Sequence, residues 1–227
     1  MSKFIIVMGP SGCGKSTSIS TLDPKETIIF NVLGKTLPFK GSMKSYTAEQ
    51  KNIATISAPD TIISSLSNIS EKMPQIKNIV IDDATYIMRI EFFNRCKDKG
   101  YDKYNELADH FRRIIALCNT LRQDLNIIMM LHSEPVESEG SIITHKSATV
   151  GKLLDKIYSP EENVSVLLYA QPIFDDKGKA SFGFYTHKKR VNGIEIAAKS
   201  PEGMFKEDYI PNDLKFVTDS LLEYYGV

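Results

Sequence analysis

The chain has 227 residues, of which 42% are hydrophobic, and its 28 lysines and arginines balance its 28 aspartates and glutamates. This length is enough to bury one sizeable core, and we expect a single domain over residues 1–227. A net charge of zero excludes a global electrostatic attraction to nucleic acid, so such binding must use a local patch or an assembly of chains.

Cysteine usage and the start of the chain predict its compartment. Three cysteines without metal-like spacing favour a reducing environment over a disulfide framework: Cys13, Cys96 and Cys118. The chain begins directly with a strand-like apolar run, which is unlike a signal peptide. No apolar run approaches the length of a membrane span, so we expect no membrane partner. These features predict a cytoplasmic protein.

In the first part of the chain, apolar runs alternate with helical patterns, which is typical of a parallel sheet flanked by helices. The segment 31–51 is rich in Gly, Lys and Ser, and its composition predicts an exposed loop. Strands are predicted over 3–8, 26–32, 76–83 and 125–132, and helices over 59–73 and 102–124.

After residue 132 the character of the chain changes. Residues 133–151 are polar and predict a long mobile loop, and long loops in compact domains are often functional. Two strand patterns, 162–171 and 179–190, flank a turn signal and predict an antiparallel hairpin. The segment 201–227 is predicted as a C-terminal extension ending in a helix, with Asn212 or Asp213 as its N-cap.

The segment from Gly9 to Thr17 reads GPSGCGKST and directly follows the first predicted strand. This spacing is that of a phosphate loop, in which backbone N–H groups surround phosphate oxygens and a helix beginning near Gly14 adds its dipole. We expect Lys15 to reach the β- and γ-phosphates of ATP and the Ser16 hydroxyl to ligate Mg²⁺. The predicted nucleotide-binding residues are Gly9, Pro10, Ser11, Gly12, Cys13, Gly14, Lys15, Ser16 and Thr17.

Polar residues at two other strand ends complete the predicted catalytic set with Lys15. Asp82 ends a buried strand and is expected to hold the metal with Ser16. Asp83 either orients an attacking water or caps the following helix. His132 ends the fourth strand at the edge where such sheets bind ligands, and it either contacts the γ-phosphate or has a structural role.

A phosphate loop alone is compatible with transporter ATPases, nucleotide kinases and recombination motors. The chain lacks the Ser-Gly-Gly signature of transporter ATPases, and its few arginines lie mostly on predicted helices. A nucleotide kinase would need an arginine-rich lid, so the small number of arginines counts against this class, although it remains an alternative. It would transfer a phosphoryl group to a nucleoside monophosphate.

The later motifs carry a more specific resemblance. The stretches FNVLGKTLPFKG, VIDDATYIM, YDKYNELA, LNIIMMLH and KSPEGMFKEDYIPNDL resemble the short phage-encoded RecA-like ATPases of the AAA_24 type, which include single-strand annealing recombination proteins. The resemblance covers most of the chain. It implies an α/β RecA-like fold with a mostly parallel central sheet and a C-terminal antiparallel hairpin.

The same resemblance implies an activity and its setting. We expect a Mg²⁺-dependent ATPase that binds ATP and ADP and assembles into a ring or filament. Its expected partners are single-stranded DNA and a single-stranded DNA-binding protein, in the cytoplasm of a phage-infected bacterium. One feature departs from the family pattern: the second strand ends near Asn31 or Val32, where a catalytic glutamate is expected. Three explanations are open: Asp83 takes over the role of this glutamate, another residue that the pattern does not identify does so, or ATP hydrolysis is slow. Slow hydrolysis leaves a nucleotide-gated binding module as an alternative function.

A basic cluster lies at the end of the predicted hairpin. Residues 177–190 carry five positive charges and no acid. Family members insert basic residues into a neighbouring subunit's ATP site, so the resemblance implies that Lys188, Lys189 or Arg190 acts as a finger in trans. A solvated hairpin end is the alternative.

Two segments could contact single-stranded DNA. Bases stack on aromatic rings while lysines follow the phosphates, and the loop before the 102–124 helix carries both residue types. The other segment is the polar stretch 133–151. The candidates are Lys97, Lys99, Tyr101, Lys103 and, in the polar stretch, His145 and Lys146. Against the first segment, Tyr104 belongs to the apolar stripe of the helix.

Overall fold

A computed structural model describes residues 1–100, 102–151, 153–154 and 157–226. The helices are α1 Ser42–Ser45, α2 Pro59–Lys72, α3 Thr85–Asn94, α4 Asp102–Cys118 and α5 Leu214–Tyr225, with 3₁₀ helices at Ser16–Thr21 and Pro160–Asn163. The strands are β1 Lys3–Gly9, β2 Thr27–Asn31, β3 Ile53–Ala54, β4 Asn78–Asp82, β5 Asn126–Ser138, β6 Ser141–Ser147, β7 Val166–Ala170, β8 Ile173–Phe174, β9 Ala180–Ser181, β10 Gly183–Tyr185, β11 Lys189–Val191, β12 Ile194–Ile196 and β13 Tyr209–Pro211.

The central sheet confirms the predicted α/β class. Its strand order is β3-β2-β4-β5-β1-β7-β10-β13, and the first six strands are parallel. β10 then pairs antiparallel with β7, which confirms the C-terminal hairpin. In the β1–β5 register Gly9 lies opposite His132, and β4 ends at Asp82 beside β5. The sheet therefore brings the phosphate loop, Asp82 and His132 to one edge.

Helices cover both faces of the sheet, because the central strands are apolar on both sides, as parallel strands usually are. Alternate residues of β1 belong to different clusters: Ile6 packs into the core with α2, α3 and α4, and Val7 packs into the core with α5. Both side chains are fully buried.

The prediction of a long polar loop over 133–151 is wrong. β5 runs on to Ser138 and pairs antiparallel with β6 over 141–147. Most side chains beyond residue 132 in this pair are partly or fully exposed, so the hairpin stands away from the core. No apolar alternation marks such a strand, which explains why the sequence pattern resembles a loop.

The basic cluster 188–190 does not end the predicted hairpin. β10 ends at Tyr185, and a new antiparallel pair, β11 with β12, begins at Lys189. β12 in turn pairs with β6 through Glu195 and Thr144. The cluster therefore belongs to the small sheet formed with the β5–β6 hairpin.

The C-terminal segment is integrated with the sheet. β13 pairs antiparallel with β10, and α5 packs its buried residues Leu214, Val217 and Leu221 into the core. Asp213 is the N-cap of α5, and its side chain accepts a hydrogen bond from the backbone N–H of Phe216 at 3.0 Å. Between the two alternatives for this cap, the structure selects Asp213.

The segment 31–51 is only partly the exposed loop that its composition predicts. It contains α1, and Leu37 and Tyr46 are buried in the core. Lys35 precedes these anchors, and its backbone carbonyl oxygen accepts a hydrogen bond from Asn31 Nδ2 at 2.6 Å, at the end of β2. Among the described residues, no helix is long and apolar enough to cross a membrane.

Candidate functional site

The phosphate loop turns between β1 and the 3₁₀ helix Ser16–Thr21. Gly12 and Gly14 have φ values of +76° and +94°, a conformation that glycine adopts without steric cost. The predicted helix after the loop is a six-residue 3₁₀ helix rather than an α-helix. Its dipole is correspondingly small, so the attraction for an anion must come mainly from the loop's N–H groups and Lys15.

Lys15 is buried and lies along the inside of this loop. Its Nζ donates hydrogen bonds to the carbonyl oxygens of Gly9 and Pro10, both at 2.7 Å, and lies 3.6 Å from the Cys13 sulfur. The ammonium group is thus held against carbonyl oxygens at the start of the loop, and its contact with phosphate stays a prediction.

Ser16 and Asp82 meet across the site, although they are 66 positions apart in the sequence. The Ser16 hydroxyl donates to Asp82 Oδ1 at 2.8 Å, and the backbone N–H of Asp83 donates to the same oxygen at 3.1 Å. Burial, together with the negative charge of Asp83, raises the pKa of Asp82 to about 6, and the hydrogen bond from Ser16 opposes this rise.

This pair fits the predicted Mg²⁺ ion. A hydroxyl and a carboxylate oxygen are hard oxygen donors, and Mg²⁺ usually takes one or two protein carboxylates, with phosphates and water as its other ligands. Within the described part of the chain no group of three or more His, Cys, Asp and Glu side chains forms a metal cage. The donor set therefore suits a metal that arrives with phosphate.

Asp83 follows β4 in a left-handed conformation with φ of +56°. One carboxylate oxygen accepts from His132 Nε2 at 3.0 Å, and the other accepts from Lys35 Nζ at 2.9 Å. Burial would raise the pKa of Asp83, but the hydrogen bonds and charges of these two partners outweigh it and hold the pKa below its ordinary value. Helix α3 begins at Thr85, and Asp83 does not cap it with its side chain.

A cavity of about 530 Å³ joins these residues. Its wall includes the phosphate loop from Ser11 to Thr17, both aspartates and His132. Five residues of its wall were not predicted as site residues, and they come from distant parts of the chain: Lys35, Thr36, Pro38, Phe182 and Asn212. Asn212 donates from Nδ2 to the carbonyl oxygen of Gly14 at 2.9 Å, which ties the start of α5 to the phosphate loop.

The predicted finger residues lie outside the lining of this cavity, on or beside the edge strand β11. Lys188 pairs with Glu195 at 2.8 Å and Lys189 pairs with Asp208 at 3.0 Å. Arg190 is exposed, and none of the described acidic residues forms an ion pair with it. Within the cluster, Arg190 thus differs from Lys188 and Lys189 in having no acidic partner in the part of the chain that the structure describes.

The DNA candidates divide into engaged and exposed residues. Lys146 pairs with Glu134 at 3.3 Å, and burial lowers the pKa of His145. Lys103 donates to the carbonyl oxygen of Asp98 at 3.0 Å. Lys97 and Lys99 are exposed in the turn before α4, and Tyr101 lies outside the described residues.

The phosphate loop at the end of a central strand, with a strand-end carboxylate against its serine, defines the class of P-loop NTPases. Within that class, the sequence profile of the AAA_24 family, described as an AAA domain, matches residues 2–186, and the chain belongs to this family. Membership implies nucleotide binding, usually with Mg²⁺. A comparison with curated proteins found no match.

Proposed function

We propose that the protein is a Mg²⁺-dependent ATPase that acts on single-stranded DNA as an oligomer, in phage DNA recombination or replication in the host cytoplasm. The observation that carries the ATPase part is the contact of Ser16 with Asp82 at 2.8 Å, beside the buried ammonium group of Lys15. It supports a site for a phosphate chain with its metal ion.

Each residue of the cavity at the carboxyl ends of β1, β4 and β5 has a role in this proposal. Lys15 and the loop N–H groups hold the phosphates, and Ser16 and Asp82 hold the cation. The bound Mg²⁺ would neutralise charge on the phosphate oxygens. The Asp83–His132 pair lies beside this position and orients the attacking water in place of the missing β2 glutamate.

A specific observation supports a second candidate, a nucleotide-gated binding module with negligible hydrolysis. Both carboxylate oxygens of Asp83 already accept hydrogen bonds, from Lys35 and His132. A carboxylate with hydrogen bonds to both oxygens responds to a ligand when that ligand moves Lys35 or His132. It has fewer free lone pairs with which to position a water molecule. Turnover measurements separate the two candidates, because the binding module takes up ATP without releasing phosphate.

The DNA part of the proposal favours the turn before α4. Lys97 and Lys99 are exposed there, and lysines that follow a phosphate backbone need such access. The β5–β6 hairpin carries Glu134, Glu137 and Glu139 against Lys146, so its charge opposes DNA. We therefore propose the 97–103 segment, and not the hairpin, as the contact with a single strand.

The test measures ATP turnover with and without single-stranded DNA while light scattering follows the mass in solution. We expect single-stranded DNA to raise ATP turnover at least about threefold, because the affinity for DNA is coupled to the binding of ATP. We also expect larger assemblies in the presence of ATP. A strictly monomeric protein without DNA stimulation would contradict the recombination role. ATP uptake without phosphate release would favour the binding module.

Arg190 provides a separate test of the trans-acting finger. We expect Arg190→Ala to spare ATP binding and to lower turnover per bound ATP by at least about tenfold, because a finger stabilises charge only in the transition state. Lys189→Ala is the matched control, since Asp208 already neutralises Lys189. Weaker binding with unchanged turnover per bound ATP would show that the assignment is wrong.

A further inference from the structure

Phe182 is an exposed aromatic residue in the wall of the nucleotide cavity. It lies between β9 and β10, and 45% of its surface is exposed. The rest of the wall is made largely of the phosphate loop and charged side chains. A single exposed phenylalanine needs no explanation on its own, and its contact with the phosphate loop is what distinguishes Phe182.

The ring of Phe182 packs directly against the loop at Gly14. A Cβ atom at Gly14 would lie 3.1 Å from Phe182 Cδ1 and 3.0 Å from Asn212 Nδ2. The absence of a side chain at Gly14 thus allows both residues to approach the loop backbone. The ring is held next to the phosphate-binding position while part of its surface stays open.

Asn212 adds an unsatisfied polar atom at the same place. Its Nδ2 donates to the Gly14 carbonyl oxygen, which fixes the orientation of the amide group and leaves Oδ1 as the acceptor. Oδ1 is buried and accepts no hydrogen bond from the described residues. Buried acceptors are usually satisfied, so this oxygen indicates a donor that the protein itself does not supply.

The cavity therefore has two chemically different parts. Charged and metal-binding groups surround Ser16 and Asp82, whereas an aromatic face and an amide acceptor lie beside Gly14. A nucleotide has the same division, with an anionic phosphate chain and a flat base that carries hydrogen-bonding groups.

We propose that Phe182 is the surface on which the base of the bound nucleotide stacks, and that Asn212 Oδ1 accepts a hydrogen bond from an amino group of that base. The inference rests on the proposed nucleotide-binding function and names the base site within it. Aromatic rings stack with every base, so Phe182 supplies affinity. Asn212 supplies a preference for adenine over hypoxanthine. Adenine carries an amino group at the position where hypoxanthine carries a carbonyl oxygen, and that oxygen would repel the acceptor.

The chain contains no tryptophan, so a single introduced tryptophan reports its own surroundings. In Phe182→Trp, we expect Mg–ATP to quench the emission and inorganic tripolyphosphate with Mg²⁺ to leave it unchanged, since only ATP has a base to stack. Phe174→Trp is the matched control: Phe174 is 63% exposed on β8 and lies outside the wall of the cavity. Its emission should respond to neither ligand.

Calorimetry with Phe182→Ala gives the energetic test. Loss of the stacking surface should weaken ATP binding by about tenfold, and tripolyphosphate binding should change by less than about twofold. Wild-type protein should bind inosine triphosphate more weakly than ATP. Phe174→Ala should match wild type in every titration, and thermal melting checks that each variant is folded.

The outcomes separate this inference from the proposed function. If wild type binds neither ATP nor tripolyphosphate, the nucleotide site itself is wrong. If wild type binds both, and Phe182→Ala weakens them equally or not at all, the base site is wrong while the nucleotide function stands. Equal affinity for ATP and inosine triphosphate would remove Asn212 from the base site.

Discussion

Replacement of Lys15 by alanine should abolish nucleotide binding, with a loss of ATP affinity of more than about 100-fold. A hydrogen bond from a charged group is worth about 1.5–3 kcal/mol, and Lys15 is expected to contact two phosphates. Its ammonium group is buried in the loop, where water screens it little. Isothermal titration calorimetry with Mg–ATP measures this loss directly.

Lys15 also holds the loop, so its variant needs a folding control. The Nζ atom donates hydrogen bonds to the carbonyl oxygens of Gly9 and Pro10. Removing these two hydrogen bonds is expected to disturb the turn. Lys15→Arg keeps the charge in a different shape, and thermal melting of both variants shows whether the fold is retained. Lys72→Ala, on the exposed surface of α2, should leave ATP affinity unchanged. A folded Lys15→Ala protein with wild-type affinity would refute the phosphate-loop assignment.

Replacement of Asp82 by asparagine should lower ATP turnover by about 100-fold, which corresponds to roughly 3 kcal/mol of lost stabilisation in the transition state. The amide removes the negative charge that holds Mg²⁺ but keeps an oxygen in the same position. That oxygen can still accept from the Ser16 hydroxyl and from the backbone N–H of Asp83. We therefore expect activity to fall while the melting temperature stays close to that of wild type.

A Mg²⁺ titration distinguishes loss of the metal from a general defect. The concentration of Mg²⁺ for half-maximal turnover should rise in Asp82→Asn, since the neutral amide binds the cation more weakly. Asp60→Asn is the matched control, because its side chain is 80% exposed and lies on α2. An unchanged Mg²⁺ requirement in Asp82→Asn would show that Asp82 does not anchor the metal.

The central part of the site could be predicted from the sequence because its signals are local. A glycine-rich loop after an apolar strand and aspartates after another strand each have a pattern within a few residues. Because the strands are parallel, their carboxyl ends lie side by side at the same end of the sheet, as the pairing of Gly9 with His132 shows. The fold class followed from the same alternation of strands and helices.

The residues that escaped prediction depend on long-range packing. Lys35 contacts Asp83 from 48 positions away, and Asn212 contacts Gly14 from 198 positions away. Both residues lie in stretches that carry the family resemblance, but nothing in either stretch predicts which distant residue it contacts. The continuation of β5 was missed for a different reason: Pro135 and the polar residues around it lack the alternation of a half-buried strand.

The 13-residue strand β5 passes through the site and out of the core. It spans about 40 Å at the usual rise of a strand. His132 lies in its middle, and its outer half carries β6, to which β12 and β11 are attached in turn. One continuous strand thus joins His132, whose ring contacts the Asp83 carboxylate, to the small sheet that holds Arg190. Because β5 is one continuous strand, a shift of His132 that follows a change around Asp83 would also displace the backbone to which the small sheet with Arg190 is attached.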